Sequence, residues 1–90
     1  FTGETLYLNM STSAAGHIRC ALLDAETGKP LPGFDISDCP EIIGNDPARA
    51  VRWTGGSLAP LSGKPVRLRV ELRDADLYAL RFGPAEDKDR

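Results

Sequence analysis

The sequence predicts an all-β protein, an antiparallel β-sandwich of jelly-roll or Ig-like type with about six to eight short strands. Apolar and polar residues alternate with a period of two in several segments, and no segment shows a helical period. Clusters of turn residues separate the alternating segments. The chain has 90 residues, a length that suits one domain. We expect a single sandwich domain over residues 1–83 and a polar tail over residues 84–90.

The first two strands are predicted on either side of a polar loop. Residues 4–10 and 17–23 each place apolar side chains at every second position, which gives each strand one apolar face. Residues 11–16 are small and mostly polar, a composition typical of a loop. The residues predicted to face the core are Leu6, Leu8 and Met10 in the first strand and Ile18, Cys20 and Leu22 in the second.

The middle of the chain is predicted to be less regular. Residues 24–28 read as a turn, because the carboxylate of Asp24 can accept hydrogen bonds from nearby backbone N–H groups. Prolines prevent a regular central strand over residues 29–33, which we expect to form an extended edge segment or a loop. Residues 38–49 show the weakest pattern, and a short helical turn is predicted after Pro47.

The clearest strand lies near the C-terminus, over residues 65–73. Residues 74–76 are predicted to form a corner, and residues 77–82 a returning strand that pairs with the first as a hairpin or across the sheets. A shorter strand is predicted over residues 50–54. The 65–73 strand turns Val66, Leu68, Val70 and Leu72 inward and Arg67, Arg69, Glu71 and Arg73 outward.

Composition excludes several function classes. The chain carries 11 basic and 13 acidic side chains, a net charge of −2, so no large field of one sign points to nucleic acid or an anionic membrane. The apolar runs are far shorter than the roughly 20 residues of a transmembrane helix. We therefore predict neither a nucleic-acid partner nor a membrane partner. Because the chain starts at Phe1 without a leader pattern, we expect it to be part of a longer protein.

The two cysteines leave two alternatives open. Cys20 shares the inward parity of Ile18 and Leu22, which favours a buried free thiol. A Cys20–Cys39 disulfide is the alternative if the protein is exported.

Residues of catalytic type are present but lack a catalytic pattern. His17 follows the serine-containing segment 11–13, yet no nucleophile-elbow pattern surrounds these serines. The sequence favours a surface histidine, and we predict no catalytic residue in this chain.

Acidic pairs recur in the predicted turns. Aspartate is favoured in turns because its side chain satisfies local N–H groups, and we expect this role for most of these carboxylates. Paired carboxylates with nearby carbonyls can also chelate calcium, so a structural Ca²⁺ is a weaker alternative to the prediction of no metal and no cofactor. The calcium candidates are Asp24, Glu26, Asp74 and Asp76.

Carbohydrate binding would require an exposed aromatic ring. Tyr7 points away from the predicted core face of its strand, so its ring is the best candidate for a solvent-facing platform. Trp53 shares parity with Val51 and suits the core better, but it is the second candidate for stacking on a sugar.

Five segments of the chain carry a family resemblance. They are STSAAG at 11–16, DAETGKPLPGF at 24–34, DCPEIIGND at 38–46, VRWTGG at 51–56 and LSGKPVRLRVELRDADLYALRF at 61–82. The last segment is the most specific. In this order they resemble the C-terminal β-sandwich module of large bacterial glycoside hydrolases whose catalytic part resembles a five-bladed propeller of the levanase and invertase type. The resemblance covers about residues 3–83.

The resemblance implies a non-catalytic accessory domain of a secreted or periplasmic enzyme. The propeller would supply the catalytic carboxylates, and this module would pack beside it and support it within the same polypeptide. Two alternatives remain open. One is a carbohydrate-binding module that uses Tyr7 or Trp53. The other is an adhesive or protein-interaction domain, which predicts an exposed apolar patch on one sheet.

Overall fold

The computed structural model describes residues 3–84, and these form an antiparallel sheet of three strands. The strands are β1 (Thr5–Asp24), β2 (Asn45–Val51) and β3 (Val66–Gly83). Two 3₁₀ turns, Ile36–Asp38 and Ala59–Leu61, interrupt the connections. The prediction of an all-β protein is confirmed. Within the described residues, no helix is long and apolar enough to cross a membrane.

β1 is the central strand, and the sheet order is β2-β1-β3. Leu6 lies opposite Val51 of β2 and Phe82 of β3, so all three share the core face. β3 pairs with β1 along nearly its whole length. Thr5 is paired with Gly83 at one end, and Asp24 is paired with Val66 at the other. β1 has 20 residues and β3 has 18, against a usual strand length of about five or six. For this reason the described residues form three strands where the sequence predicts about six to eight.

The predicted loop at residues 11–16 is wrong, because these residues continue β1. The β1–β3 ladder shifts register between Thr12 and His17, where four residues of β1 bulge opposite Asp74. Asp74 takes a left-handed backbone conformation with φ +45°, which bends β3 at the same level. Small polar residues resemble a loop when they are read locally, but here they form a bulge between two paired stretches of the β1–β3 ladder.

The predicted hairpin between residues 65–73 and 77–82 is also wrong. Both segments belong to β3, and the predicted corner at residues 74–76 lies within this strand. Each segment pairs with β1, the first with residues 17–24 and the second with residues 5–10. A twenty-residue central strand offers enough edge for both, so the chain does not reverse between them.

Residues 45–51 form a strand where the sequence predicts a helical turn. The register shifts between Leu8 and Met10, which leaves Pro47 in an irregularity of the edge strand β2. A proline is tolerated there because an edge bulge needs no ladder N–H. The predicted strand at residues 50–54 ends at Val51, and beyond it Trp53 forms only an isolated bridge with Gly56.

One hydrophobic cluster fills the face of the sheet that was predicted to be buried. The inward residues of β1 are fully buried, and the connecting segments supply the cover from above. Trp53 packs edge-on against Phe34, with ring centroids 5.8 Å apart, and its indole N–H donates to the carbonyl of Cys20 at 2.8 Å. The covering residues are Phe34, Cys39, Ile42, Trp53 and Leu58.

The predicted turn at residues 24–28 is confirmed. The Oδ1 atom of Asp24 accepts hydrogen bonds from the N–H groups of Glu26 and Thr27, at 2.8 and 3.0 Å. Residues 29–33 form a loop, with one isolated bridge between Leu23 and Pro30.

Candidate functional site

An apolar row runs along β3, the strand at the edge of the sheet. Most members of the row face the same side as a buried residue of β1 to which they are paired, for example Leu72 beside Ile18 and Leu80 beside Leu8. We name these residues the β3 row. Its members are Val66, Leu68, Val70, Leu72, Ala75, Leu77, Leu80 and Phe82.

The β3 row is only partly covered. Leu72 is 50% exposed and Leu80 is 42% exposed, whereas Ile18 and Leu8 beside them are fully buried. The other members are half-buried against the core cluster. The connecting segments cover β1 at the centre of the sheet, but their cover fades towards β3. Single exposed apolar residues are common on protein surfaces, whereas a row of partly exposed apolar residues on one strand is typical of an interaction surface.

On its outer side, β3 adjoins no further strand within residues 3–84. β3 pairs with β1 on one side and is the last strand of the sheet, so a row of backbone N–H and C=O groups faces away from β1. Tyr78 lies at a register shift, since Asn9 pairs with Ala79 and Met10 with Leu77. Its side chain is 64% exposed.

The opposite face of β3 carries exposed charges, as predicted. Arg67, Arg69 and Arg73 are exposed, and Arg69 lies 3.9 Å from the carboxylate of Glu71. Such an exposed pair contributes little to stability. These charges oppose indiscriminate pairing of the edge, because charged side chains are a common protection of edge strands.

The prediction of a solvent-facing ring at Tyr7 is wrong. Tyr7 is only 7% exposed, the guanidinium of Arg81 lies 4.3 Å from its ring centroid, and its hydroxyl donates to the carbonyl of Pro84. A shallow depression of about 170 Å³ lies beside it, lined also by Asn9 and Pro47. Because the cation occupies a face of the ring, that face cannot serve as a stacking platform for a sugar.

Trp53 is also not an exposed platform. Its ring is buried between Phe34 and the carbonyl of Cys20, which confirms the core position that its parity favours. Neither of the two predicted sugar-stacking residues therefore presents an open ring.

The four calcium candidates are not brought together. Asp24 lies opposite Val66 at one end of the ribbon that β1 and β3 form together. Asp76 lies opposite Ser11, beyond the central bulge. The backbone N–H groups of Thr27 and Glu26 hold the pKa of Asp24 below its usual value. Glu26 and Asp74 are exposed at these two separate places. Among residues 3–84, no group of three or more His, Cys, Asp or Glu side chains is arranged to hold a metal ion.

His17 belongs to a charged cluster that the sequence pattern does not indicate. Its Nδ1 lies 3.3 Å from the Oε2 atom of Glu41, and the guanidinium of Arg19 lies 3.8 Å from the same oxygen. The cluster forms because Ile42 bridges to Ile18, which carries Glu41 over the β1 edge between His17 and Arg19. His17 is half-buried by this arrangement rather than fully at the surface.

Cys20 and Cys39 are both buried and both free thiols. The N–H of Cys20 lies 3.5 Å from the sulfur of Cys39, within reach of a weak hydrogen bond. Burial, with a smaller contribution from the charge on Cys39, raises the pKa of Cys20 to about 12. Burial also raises the pKa of Cys39. Both groups are therefore protonated and unreactive in the folded chain at neutral pH.

The sequence did not reveal the exposure of the β3 row. Alternation correctly groups Leu72 with its inward neighbours, but alternation cannot tell an edge strand from a central strand. A signal was present in the outward arginines, since charged residues are enriched on edge strands.

No protein-family model matches this chain, and neither a curated protein nor a solved structure matches it at a significant level.

Proposed function

We propose that this chain is a non-catalytic accessory module that packs against a catalytic domain of the same polypeptide. The parent would be a secreted or periplasmic bacterial glycoside hydrolase with a levanase- or invertase-like propeller, as the sequence resemblance implies. The observation that carries the packing role is the β3 row, which is apolar, continuous along an edge strand and incompletely covered.

The β3 row suits a protein surface of complementary shape. Burying the exposed parts of Leu72 and Leu80 would remove apolar area from water along the β3 edge of the sheet, where the core is least covered. Interfaces between domains of one chain are commonly of moderate size, so a single strand face is a sufficient anchor.

The free edge of β3 offers a second mode of attachment. A strand of the partner can add to an exposed edge through backbone hydrogen bonds, with side-chain pockets setting the register. The bulges at Asp74 and Tyr78 divide the edge, which restricts such pairing to the stretch on either side of them.

The same proposal accounts for the sandwich architecture that the resemblance implies. β1 and β3 are each divided by the central bulge, and the core cluster draws buried residues from both halves of β1. A layer contributed by the partner over the β3 row would place the sheet in a two-layer arrangement. We propose that the resulting sandwich is of jelly-roll or Ig-like type.

The packing role is tested with a pair of lysine substitutions on the β3 row. Leu72→Lys with Leu80→Lys should leave the far-UV spectrum unchanged, because both side chains are largely exposed. The chain and the segment encoded upstream of it in the same reading frame are produced separately, and their affinity is measured by calorimetry. We expect binding to weaken by at least about tenfold in the double variant.

Ile43→Lys is the matched control, because Ile43 is 46% exposed but lies on a connecting segment away from β3. Equal affinity of the wild type and the β3 variant would overturn the packing role. An upstream segment without a glycoside hydrolase domain would overturn the identity of the partner, and then a partner on another polypeptide becomes the better proposal. Turnover of a glycoside panel by the isolated chain would overturn the non-catalytic role.

A carbohydrate-binding module is the second candidate, and the exposure of Tyr78 favours it. A ring that is 64% exposed on a strand can stack on a sugar face. Affinity electrophoresis in soluble polysaccharides would show retardation of the wild type and loss of it in Tyr78→Ala. Equal mobility of the two proteins in every gel would exclude this role for Tyr78.

A further inference from the structure

We propose that Cys20 and Cys39 are the two halves of a disulfide that closes when the chain folds in the presence of a small-molecule disulfide such as oxidised glutathione. The pairing is carried by the backbone geometry around the two residues. It does not depend on the function proposed above.

Two sets of backbone hydrogen bonds hold the segment of Cys39 along β1. On one side Ile18 and Ile42 exchange two N–H···O bonds of 2.9 Å, and on the other the N–H of Leu22 donates to Phe34 at 2.8 Å. Cys20 lies midway between Ile18 and Leu22, and Cys39 lies between Phe34 and Ile42. The two cysteines are therefore held side by side by contacts that do not involve their sulfur atoms.

The direct contact agrees with this placement. The sulfur of Cys39 lies 3.5 Å from the backbone nitrogen of Cys20, and both side chains belong to the same buried cluster. Cys39 follows the 3₁₀ turn Ile36–Asp38 in an extended conformation with φ −106° and ψ 111°. Cys39 therefore lies in a connecting segment and not in one of the three strands.

The reaction is a thiol–disulfide exchange in two steps. The thiolate of one cysteine attacks a sulfur of glutathione disulfide, forming a mixed disulfide and releasing one glutathione thiolate. The second cysteine thiolate attacks the protein sulfur of the mixed disulfide, and the second glutathione leaves. The two protein sulfurs are oxidised, the glutathione disulfide is reduced by two electrons, and the two thiol protons end on the two glutathione thiols.

Burial determines when this reaction takes place. Both thiols are almost fully covered in the folded chain, so a small-molecule disulfide cannot reach them there. Both steps therefore take place before the two thiols are fully buried. The first occurs in the unfolded chain, and the second occurs in the partly folded chain as the segment of Cys39 approaches β1.

The experiment measures the effective concentration of the two thiols. The full chain is unfolded, reduced and refolded in mixtures of reduced and oxidised glutathione, and the fraction of disulfide is read from intact mass. Proteolysis after Glu26 separates the two cysteines, so a Cys20–Cys39 link joins two peptides. The same equilibrium is measured in denaturing urea. We expect an effective concentration at least about tenfold higher in the native chain than in urea.

A native value equal to or below that in urea would overturn the proposal. So would a product that carries glutathione on each cysteine without an internal link. The comparison uses the wild-type chain in both solvents, so it does not depend on whether a cysteine variant folds. Cys39→Ser serves as the control for the first step, because it can form only the mixed disulfide.

Discussion

At the scale of single residues, burial follows alternation on much of β1 and departs from it at Tyr7 and at Ala21, which are buried despite the opposite parity. Leu6 and Leu8 are buried, as their parity predicts, because they face the core cluster. Tyr7 has the opposite parity, yet it is covered. The guanidinium of Arg81 lies over its ring, and its hydroxyl donates a hydrogen bond to the carbonyl of Pro84. Alternation predicts which side of the sheet a residue faces. It does not predict whether a long side chain from the next strand covers that side.

The buried thiol of Cys20 makes stability depend on pH in the alkaline range. The pKa of Cys20 is raised to about 12 from 9.0, first by burial and then by the charge on Cys39. Below about pH 9 the thiol is protonated in both states, so stability is unaffected. Above that pH the unfolded thiol loses its proton while the folded thiol keeps it, so the free energy of unfolding falls as pH rises towards 12.

Urea unfolding in a reducing buffer at about pH 8 and about pH 10.5 measures this effect. We expect the wild type to lose up to about 1.4 kcal/mol more per pH unit than Cys20→Ala over this range. The variant is the matched control, because the two proteins share every other ionisable group. Identical pH slopes in the two proteins would contradict the raised pKa of the thiol.

At the scale of elements, β1 and β3 each continue through the central bulge instead of ending at it. A Cβ atom at Gly16 would collide with the carbonyl oxygens of Arg73 and Asp74 across the ladder. Gly16 therefore allows the two backbones to approach where the ribbon bends. The small residues of 11–16 suggest a flexible loop, whereas Gly16 is needed here because there is no room for a Cβ atom.

Gly16→Ala tests this role. We expect the substitution to lower the free energy of unfolding by about 2–3 kcal/mol or more, because backbone on the facing strand must move. Gly63→Ala is the control, since Gly63 has φ +87° and no atom within 4 Å of an added Cβ, so only its backbone conformation is strained. Its cost should be about 1–2 kcal/mol. An equal or smaller effect at Gly16, measured by urea unfolding, would contradict the close-packing role.

At the scale of the whole molecule, a single core cluster joins both halves of the ribbon. Trp53, the only tryptophan, is buried in this cluster, and its indole N–H donates a hydrogen bond to the backbone carbonyl of Cys20 in β1. The described residues share one buried hydrophobic cluster. We therefore expect the chain to unfold in one cooperative transition.

Trp53 fluorescence reports the core, and the far-UV circular dichroism reports the sheet. Their urea midpoints should coincide within experimental error, and a single transition should fit both. Loss of the fluorescence signal at a lower urea concentration than the β signal would show that the covering segments detach from the sheet first, and would contradict one cooperative core.

The sequence by itself determined the β class, the turn at residues 24–28 and the inward faces of β1. These properties are local, because period-two alternation and turn chemistry involve neighbours in the chain. The carboxylate roles in turns are local in the same sense, as Asp24 shows by bonding residues two and three positions ahead.

Only the tertiary structure decided where strands end and which of them lies at the edge. Residues 11–16 and 74–76 carry loop signals, but the pairs on both sides of the bulge, Thr12 with Ala75 and His17 with Arg73, keep them within β1 and β3. The exposure of Leu72 and Leu80, the contact between His17 and Glu41, and the placement of Cys39 beside Cys20 all arise from pairings between distant segments. Such pairings depend on the competition between partners for the two edges of β1, which a single strand's pattern does not encode.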